Sequence, residues 1–151
     1  MRRLLAVIVA GAAPLAAAGA QGCTYDRCAL RREGVFFSQR IVAGVEGRVA
    51  ARQGFGGFRL DSALAGSERA LTEARVHRRE SRRGGALMLA GSVLGAVALA
   101  DAVRTEGDLS DARTGVLLGG AALSLAGGWR LQIADRALAR AIWWHNRDLP
   151  R

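Results

Sequence analysis

Two long apolar stretches dominate the pattern of hydrophobic and polar positions in this chain. Residues 85–103 carry one acidic charge, Asp101, and residues 114–129 carry no charge at all. A helix of about 18 residues is ~27 Å long, close to the ~30 Å hydrocarbon core of a bilayer. The pattern predicts a mainly α fold built on a long antiparallel helical hairpin, whose two helices are long enough to be transmembrane. Its parts are apolar helix 1 at 85–103, an acidic turn at 104–113 and apolar helix 2 at 114–130.

Small residues recur at four-residue spacing in both apolar helices. Such stripes allow two helix backbones to approach closely within lipid, as in a glycine zipper. The same stripes would also suit a soluble hairpin whose small-residue faces pack together in water, or could follow from a composition rich in Gly and Ala. The predicted helix-packing residues are Gly91 and Gly95 in the first helix, and Gly115, Gly119, Gly120, Ser124 and Gly128 in the second.

Amphipathic segments flank the hairpin on both sides. Residues 61–84 have an apolar stripe at helical spacing, a cap candidate at Ser62 or Ser67, and a strongly basic end. Residues 131–149 continue the second apolar helix with interspersed Arg and end before Pro150. Arginines beside an apolar segment can hold anionic headgroups, and paired Trp suits a membrane interface. The predicted membrane-interface residues are Arg78, Arg79, Arg82, Arg83, Trp143 and Trp144.

Both interface assignments have a simpler alternative. A charge run such as that of the arginines most often forms a solvated helix face, and the two tryptophans would equally cover the first long helix within a helical pair.

A small β-hairpin is predicted before the helices, within an N-terminal region that spans residues 21–60. The stretches 35–42 and 45–49 are rich in β-branched and aromatic residues, with Gly44 and Gly47 as punctuation. The Gly-rich run 54–58 lacks the spacing of a phosphate-binding loop. We interpret that run as a turn with two aromatic anchors.

The N-terminus has the layout of a secretory signal in residues 1–20. Two Arg precede an apolar stretch, and Ala18-Gly19-Ala20 provides the small residues of a cleavage site. In an oxidising compartment, Cys23 and Cys28 are expected to form a short-loop disulfide. The alternatives are a redox-active pair, a partial metal site, lipidation of Cys23, and an uncleaved N-terminal anchor.

Charge adds a preference for anionic partners. All 22 basic residues are Arg, and the net charge is +9. No aromatic set is interleaved with the arginines, which disfavours nucleic acid and leaves membrane lipid as the expected partner. The charge also conflicts with the signal: the positive-inside rule would retain the Arg-rich flanks, whereas the signal would export them.

Catalytic motifs are missing from the sequence. There is no nucleophile elbow, phosphate loop or metal-binding His pair, so no enzyme activity, metal or cofactor is predicted. The predicted function is an exported, membrane-anchored envelope protein that packs as a structural or assembly module against itself or a larger complex. The alternatives are an oligomeric membrane-active or pore-forming protein, and a small soluble periplasmic helical hairpin.

Overall fold

The computed structural model describes residues 23–34, 39–54, 56–104 and 111–150. The predicted signal at 1–20 lies outside these residues, as do most of the acidic turn and part of the first predicted strand. The elements in chain order are α1 (Tyr25–Cys28), β1 (Leu30–Glu33), β2 (Arg40–Ala43), β3 (Arg48–Gly54), β4 (Gly57–Phe58), α2 (Glu68–Arg104) and α3 (Asp111–Asp148). The molecule is mostly helical, and the predicted fold class is confirmed.

Each of the two long helices joins segments that differ in polarity. Helix α2 runs without interruption from the basic amphipathic segment into the first apolar segment. It begins at Glu68 rather than near residue 61, because the preceding Gly66 has a φ of +106°, which a right-handed helix does not allow. Ser67 caps α2, and its Oγ accepts the N–H of Ala70 at 3.4 Å. Helix α3 likewise combines the second apolar segment with the amphipathic C-terminal segment.

The helices pair antiparallel through positions that alternate by three and four residues. Buried positions along α2 include Ala70, Ala74, His77, Ser81, Gly84, Gly91 and Ala98. Those along α3 include Gly120, Gly127, Ala134, Leu138, Ala141 and His145. Alternating steps of three and four repeat every seven residues, which is the pattern of two helices packed along a common seam.

The β-strands form an antiparallel meander in the order β1-β2-β3-β4. The predicted β-hairpin is present as β2 and β3, and Gly44 and Gly47 lie in its turn with φ near +70°. Strands β1 and β4 were not predicted, since both are short and lack a run of β-branched residues. Within the Gly-rich run, Gly54 of β3 pairs with Gly57 of β4, and Phe55, one of the two predicted aromatic anchors, lies outside the described residues.

One hydrophobic core joins the sheet to the nearer half of the helix pair. Its larger members are Leu30, Ile41, Phe58, Leu60, Leu64 and Leu138, and Trp144 packs against its edge. Leu60 and Leu64 precede α2 in the turns between the sheet and the helix, and both are fully buried. The core therefore fixes the sheet to one end of the helical hairpin and leaves the other end uncovered by the sheet.

Candidate functional site

The end of the helix pair away from the sheet exposes large apolar side chains. We call this part the apolar hairpin and define it as residues 85–104 of α2 and 111–129 of α3. Only 11% of the most apolar 18-residue window is buried in either helix, and both helices are long and apolar enough to cross a membrane by length and composition. The exposed side chains are Met88, Leu89, Val93, Leu94, Val97, Leu99, Val103, Val116, Leu118, Leu125 and Trp129.

Glycines bring the two helix backbones together in two successive layers. A Cβ on Gly91 would lie 2.5 Å from the carbonyl oxygen of Gly120, and it would also collide with Ser124. A Cβ on Gly84 would lie 2.9 Å from the carbonyl oxygen of Gly127. Of these residues, Gly91, Gly120 and Ser124 were predicted at the contact, whereas Gly84 and Gly127 were not.

The other predicted packing glycines have open Cβ positions, although the backbone nitrogen of Gly95 lies 3.3 Å from a Cβ placed on Gly120. A Cβ on Gly95, Gly115, Gly119 or Gly128 would meet no atom within 4 Å. Steps of four residues advance ~40° beyond a full turn and drift off the seam, whereas steps of seven fall only ~20° short of two turns. The seven-residue repeat of Gly84 with Gly91, and of Gly120 with Gly127, is a sequence signal that the four-residue spacing missed.

The end of the molecule that contains the sheet is polar and rich in arginine. We call it the base and define it as the described residues before 85 and after 129. Arg82 and Arg83 lie three and two residues before the first residue of the apolar hairpin, and Arg78 and Arg79 lie one turn earlier. The structure thus brings the four predicted interface arginines to the junction of the base and the apolar hairpin.

The two predicted interface tryptophans lie elsewhere. Trp144 packs against the core of the base, and Trp143 and Trp144 contact each other edge to face at 4.6 Å between ring centroids. The guanidinium of Arg69 stacks over Trp144 at 4.8 Å. These rings follow Trp129 by about four turns, or ~21 Å along the helix, so they belong to the base and not to the junction.

The tryptophan at the junction is Trp129, which the sequence interpretation overlooked. It is exposed and is the last residue of the apolar hairpin on α3. Its position at the end of the uncharged stretch, directly before Arg130, is the sequence signal that marks it.

Glu80 links the two helices at the junction. Its side chain is 4% exposed, and its carboxylate accepts from Arg130 Nη1 at 2.8 Å and Arg79 Nε at 3.0 Å, with Arg83 Nη1 at 3.6 Å. The hydrogen bond from Arg130 is the main reason that the pKa of Glu80 lies below its ordinary value, and the hydrogen bond from Arg79 acts in the same direction. Glu80 therefore stays ionised and fixes part of the surrounding positive charge.

A second set of arginines lines an open groove between the sheet and α2. This arginine groove, about 790 Å³ in volume, is bounded by Arg52, Arg59, Arg78 and Arg82 with the glycines of the β3–β4 turn. A Cβ on Gly56 would lie 3.0 Å from Nε of Arg82, so the turn lies directly against that side chain. Arg78 and Arg82 also line the adjoining surface formed with Arg75, Arg79 and Arg83.

The end of α3 holds the disulfide segment in place. Cys23 and Cys28 are bonded, with Cα atoms 5.7 Å apart, so the sulfur of Cys23 has no thiol left for a thioether to lipid. The side chain of Asn146 accepts the N–H of Leu30 at 2.7 Å and donates to its carbonyl at 2.8 Å. These bonds occupy the outer edge of β1, which would otherwise present unpaired backbone groups.

Buried histidines make two further contacts between the sheet side and the helices. His77 Nε2 accepts the N–H of Phe58 at 3.1 Å, which makes its Nδ1 the donor to the carbonyl of Ala134 at 2.9 Å. His145 Nε2 lies 3.2 Å from the carbonyl oxygen of Cys28. Burial lowers the pKa of both imidazoles below 6.5, so both are neutral near pH 7.

These polar contacts are structural in character. Among the residues that the structure describes, no group of three or more His, Cys, Asp or Glu side chains could hold a metal ion. No protein-family model, curated protein or solved structure matches the chain. The arrangement itself, an arginine-rich base that carries an exposed apolar hairpin, is therefore what bears on function.

Proposed function

We propose that this chain is an exported, membrane-anchored envelope protein without catalytic activity. Its apolar hairpin would span the bilayer, and its base would stand at the surface as a module that packs against another protein of the envelope. The observation that carries the proposal is the low burial of the two apolar windows, 11% in each, beside a base with an ordinary buried core.

Length supports a spanning hairpin. The apolar parts of α2 and α3 contain about 20 residues each, which corresponds to ~30 Å and matches the hydrocarbon core. Both helices satisfy their backbone hydrogen bonds internally, as a structure in lipid requires. Arg82 and Trp129 are the kinds of residue that favour the interface at either side of such a boundary.

A soluble hairpin is less compatible with this surface. Leu125, for example, is 76% exposed, and it belongs to a set of apolar side chains that continues around both helices. Monomeric soluble proteins rarely expose contiguous apolar areas above a few hundred Å². A soluble form would therefore need a partner over most of the hairpin.

A pore is also disfavoured as the primary role. The stretches 85–100 and 114–129 contain no ionisable side chain, so neither helix offers charged groups to line an ion path. The acid that follows, Asp101, is paired with Arg113 at 2.8 Å. A membrane anchor requires only an apolar surface of sufficient length, and the hairpin has one.

Orientation of the base is assigned to the exported side. The signal-like N-terminus favours export, and a disulfide persists in oxidising compartments. The many arginines of the base oppose this orientation under the positive-inside rule. We give priority to the signal and the disulfide because both are typical of proteins in an exported, oxidising compartment.

Alkaline carbonate extraction tests the anchor. The full chain is expressed, membranes are washed, and the mature protein is expected to remain in the pellet. Release into the wash would mean that the hairpin is covered by protein instead of lipid, and the anchor would be rejected.

Cysteine labelling tests the orientation. A membrane-impermeant maleimide applied to right-side-out vesicles is expected to label Ser62→Cys in the base and to label Ala112→Cys at the far end only after permeabilisation. Both positions are exposed in the protein, so a difference in labelling reports the side of the membrane on which each one lies. The reverse labelling pattern would place the base inside and contradict export.

In-membrane crosslinking tests the packing role. Crosslinked species that contain the chain with a second protein or a second copy are expected. Recovery of monomer alone would count against a packing module while leaving the anchor intact.

A further inference from the structure

We propose that the arginine groove binds the phosphate of an anionic lipid headgroup, an inference that rests on the membrane anchor proposed above. The groove lies between β3, the β3–β4 turn and α2, and it is lined by Arg52, Arg59, Arg78 and Arg82. Guanidinium groups match phosphate oxygens in both charge and bidentate geometry. Four of them around one opening would create a site for a single phosphate with its negative charge.

The charges in the groove are largely uncompensated by the protein. Arg78 pairs with Asp61 at 3.2 Å, and Asp61 is itself exposed. Within the described part of the chain, no carboxylate lies within ion-pair distance of Arg52, Arg59 or Arg82. The contrast is with Arg79, Arg83 and Arg130, which share the buried carboxylate of Glu80. The groove therefore retains positive charge that the Glu80 cluster neutralises.

Backbone geometry holds one of these arginines in place. The β3–β4 turn rests on α2, where a Cβ on Gly57 would lie 2.7 Å from His77 Nε2 and one on Gly56 would lie 3.0 Å from Arg82 Nε. Glycine at both positions allows the turn to lie against the side chain of Arg82. An arginine confined in this way loses less conformational entropy on binding an anion.

The end of the groove nearer the apolar hairpin lies at the height of the headgroup layer. Arg82 lies three residues before Gly85, which is ~5 Å along α2. Arg78 lies seven residues before Gly85, which is ~10 Å. The polar layer on one side of a bilayer is roughly 5–8 Å thick. If the apolar hairpin spans the membrane, lipid phosphates lie at the level of the groove opening.

Lipid binding by purified protein tests the site independently of the anchor. The full chain in detergent is titrated with phosphatidylglycerol or with phosphatidylcholine, and bound lipid is counted by native mass spectrometry. We expect at least tenfold tighter binding of phosphatidylglycerol. Equal binding of the two lipids would overturn the proposal, whether or not carbonate releases the protein from membranes.

A matched pair of double variants separates the groove from general charge. Arg59→Gln with Arg82→Gln removes two groove arginines, and Arg27→Gln with Arg136→Gln removes two exposed arginines that do not line it. The groove variant is expected to lose about tenfold in phosphatidylglycerol affinity while the control stays within twofold, since each nearby arginine contributes several-fold. Equal losses would show that only net charge matters and would overturn the site.

Two competitors test the source of the anion. Millimolar inorganic phosphate and a short single-stranded oligonucleotide are each added to the complex with phosphatidylglycerol. Neither is expected to displace the lipid. Displacement by free phosphate would indicate a site for a soluble anion, and tighter binding of the oligonucleotide would indicate nucleic acid, so either result would overturn the lipid assignment.

Discussion

At the residue scale, His77 connects three parts of the base through one side chain. It stands on α2, accepts from the backbone of Phe58 on β4 and donates to the backbone of Ala134 on α3. The bond from Phe58 requires the neutral ring, because protonated Nε2 has no lone pair to accept that N–H, whereas Nδ1 donates to Ala134 in either form. Burial is the main cause of its lowered pKa, while the hydrogen bond to Ala134 and nearby Asp135 oppose that shift and Arg32 reinforces it.

The lowered pKa of His77 predicts a loss of stability in mild acid. The unfolded chain takes up a proton near pH 6.5, before the folded chain does, so stability is full above that pH and falls as the pH drops below it. We expect the unfolding midpoint in detergent to decrease between pH 7.5 and pH 5. His77→Gln should be less stable at pH 7.5 but show a smaller decrease on acidification, with the remainder due to His145. An unchanged pH dependence in this variant would contradict the assignment.

At the element scale, the glycines of the hairpin divide into those that face the partner helix and those that do not. Gly91 lies so close to Gly120 that even a methyl group would collide with backbone. Gly115 has the same residue type and the same helical conformation, but its Cβ position is open. The comparison separates helix propensity from helix packing.

Alanine substitutions at these two glycines are expected to have opposite effects. Gly91→Ala should destabilise by roughly 1–3 kcal/mol, because the helices must move apart. Gly115→Ala should be neutral or stabilising by up to about 1 kcal/mol, because Ala favours the helix. Unfolding of both variants in SDS, compared with the parent chain, measures the difference. Equal effects would contradict the packing described for Gly91.

Also at the element scale, the side chain of Asn146 binds the outer edge of β1. Asn146→Ala removes both hydrogen bonds to Leu30 and should cost about 1–3 kcal/mol, since the backbone groups lose their partners. The Leu30 amide should then exchange hydrogen faster. Gln132→Ala, an exposed substitution on the same helix, is the control and should leave that amide unchanged. Unaltered exchange in Asn146→Ala would show that another group protects this edge.

At the scale of the whole molecule, one continuous pair of helices runs through the base and the apolar hairpin. The surface of the base is polar, whereas the surface of the hairpin is apolar. Val97 on the hairpin is 61% exposed and Val45 in the base is 73% exposed. In water the two positions would tolerate a charge equally well. In a membrane they would differ, because only Val97 would face lipid.

Introducing a carboxylate at each valine distinguishes these environments. Val97→Asp should reduce membrane integration, since an acid near the middle of a spanning helix costs about 2.5–3.5 kcal/mol. Val45→Asp should integrate like the parent chain. The fraction of protein retained after carbonate washing measures both. Equal retention would indicate that Val97 does not face lipid.

The disulfide lies in the base, away from the apolar hairpin. Replacing Cys23 and Cys28 by Ser should destabilise the base by about 2 kcal/mol, as expected for a short closed loop. Hydrogen exchange should increase in α1 and β1, while carbonate retention should stay the same because the hairpin is untouched. Loss of membrane retention in this variant would mean that the disulfide segment is needed for insertion.

The sequence by itself determined the helical hairpin, the turn between β2 and β3, the disulfide and the run of arginines that precedes the apolar hairpin. Each of these depends on neighbours close along the chain: uninterrupted apolar length, Gly44 and Gly47 at a turn, and two cysteines five positions apart. Local patterns of this kind act before the chain is folded, so they can be recognised without tertiary contacts.

Only the tertiary structure decided which face of each helix is the seam and which residues join the base. Gly115 and Gly120 look alike in sequence, but the angle at which α3 meets α2 leaves one open and buries the other. Trp143 and Trp144 look like a pair in sequence, but Trp144 packs against the core of the base whereas Trp143 is exposed. The contacts of His77 and Asn146, and the arginine groove, likewise join residues far apart in sequence, and no local pattern records such a distance.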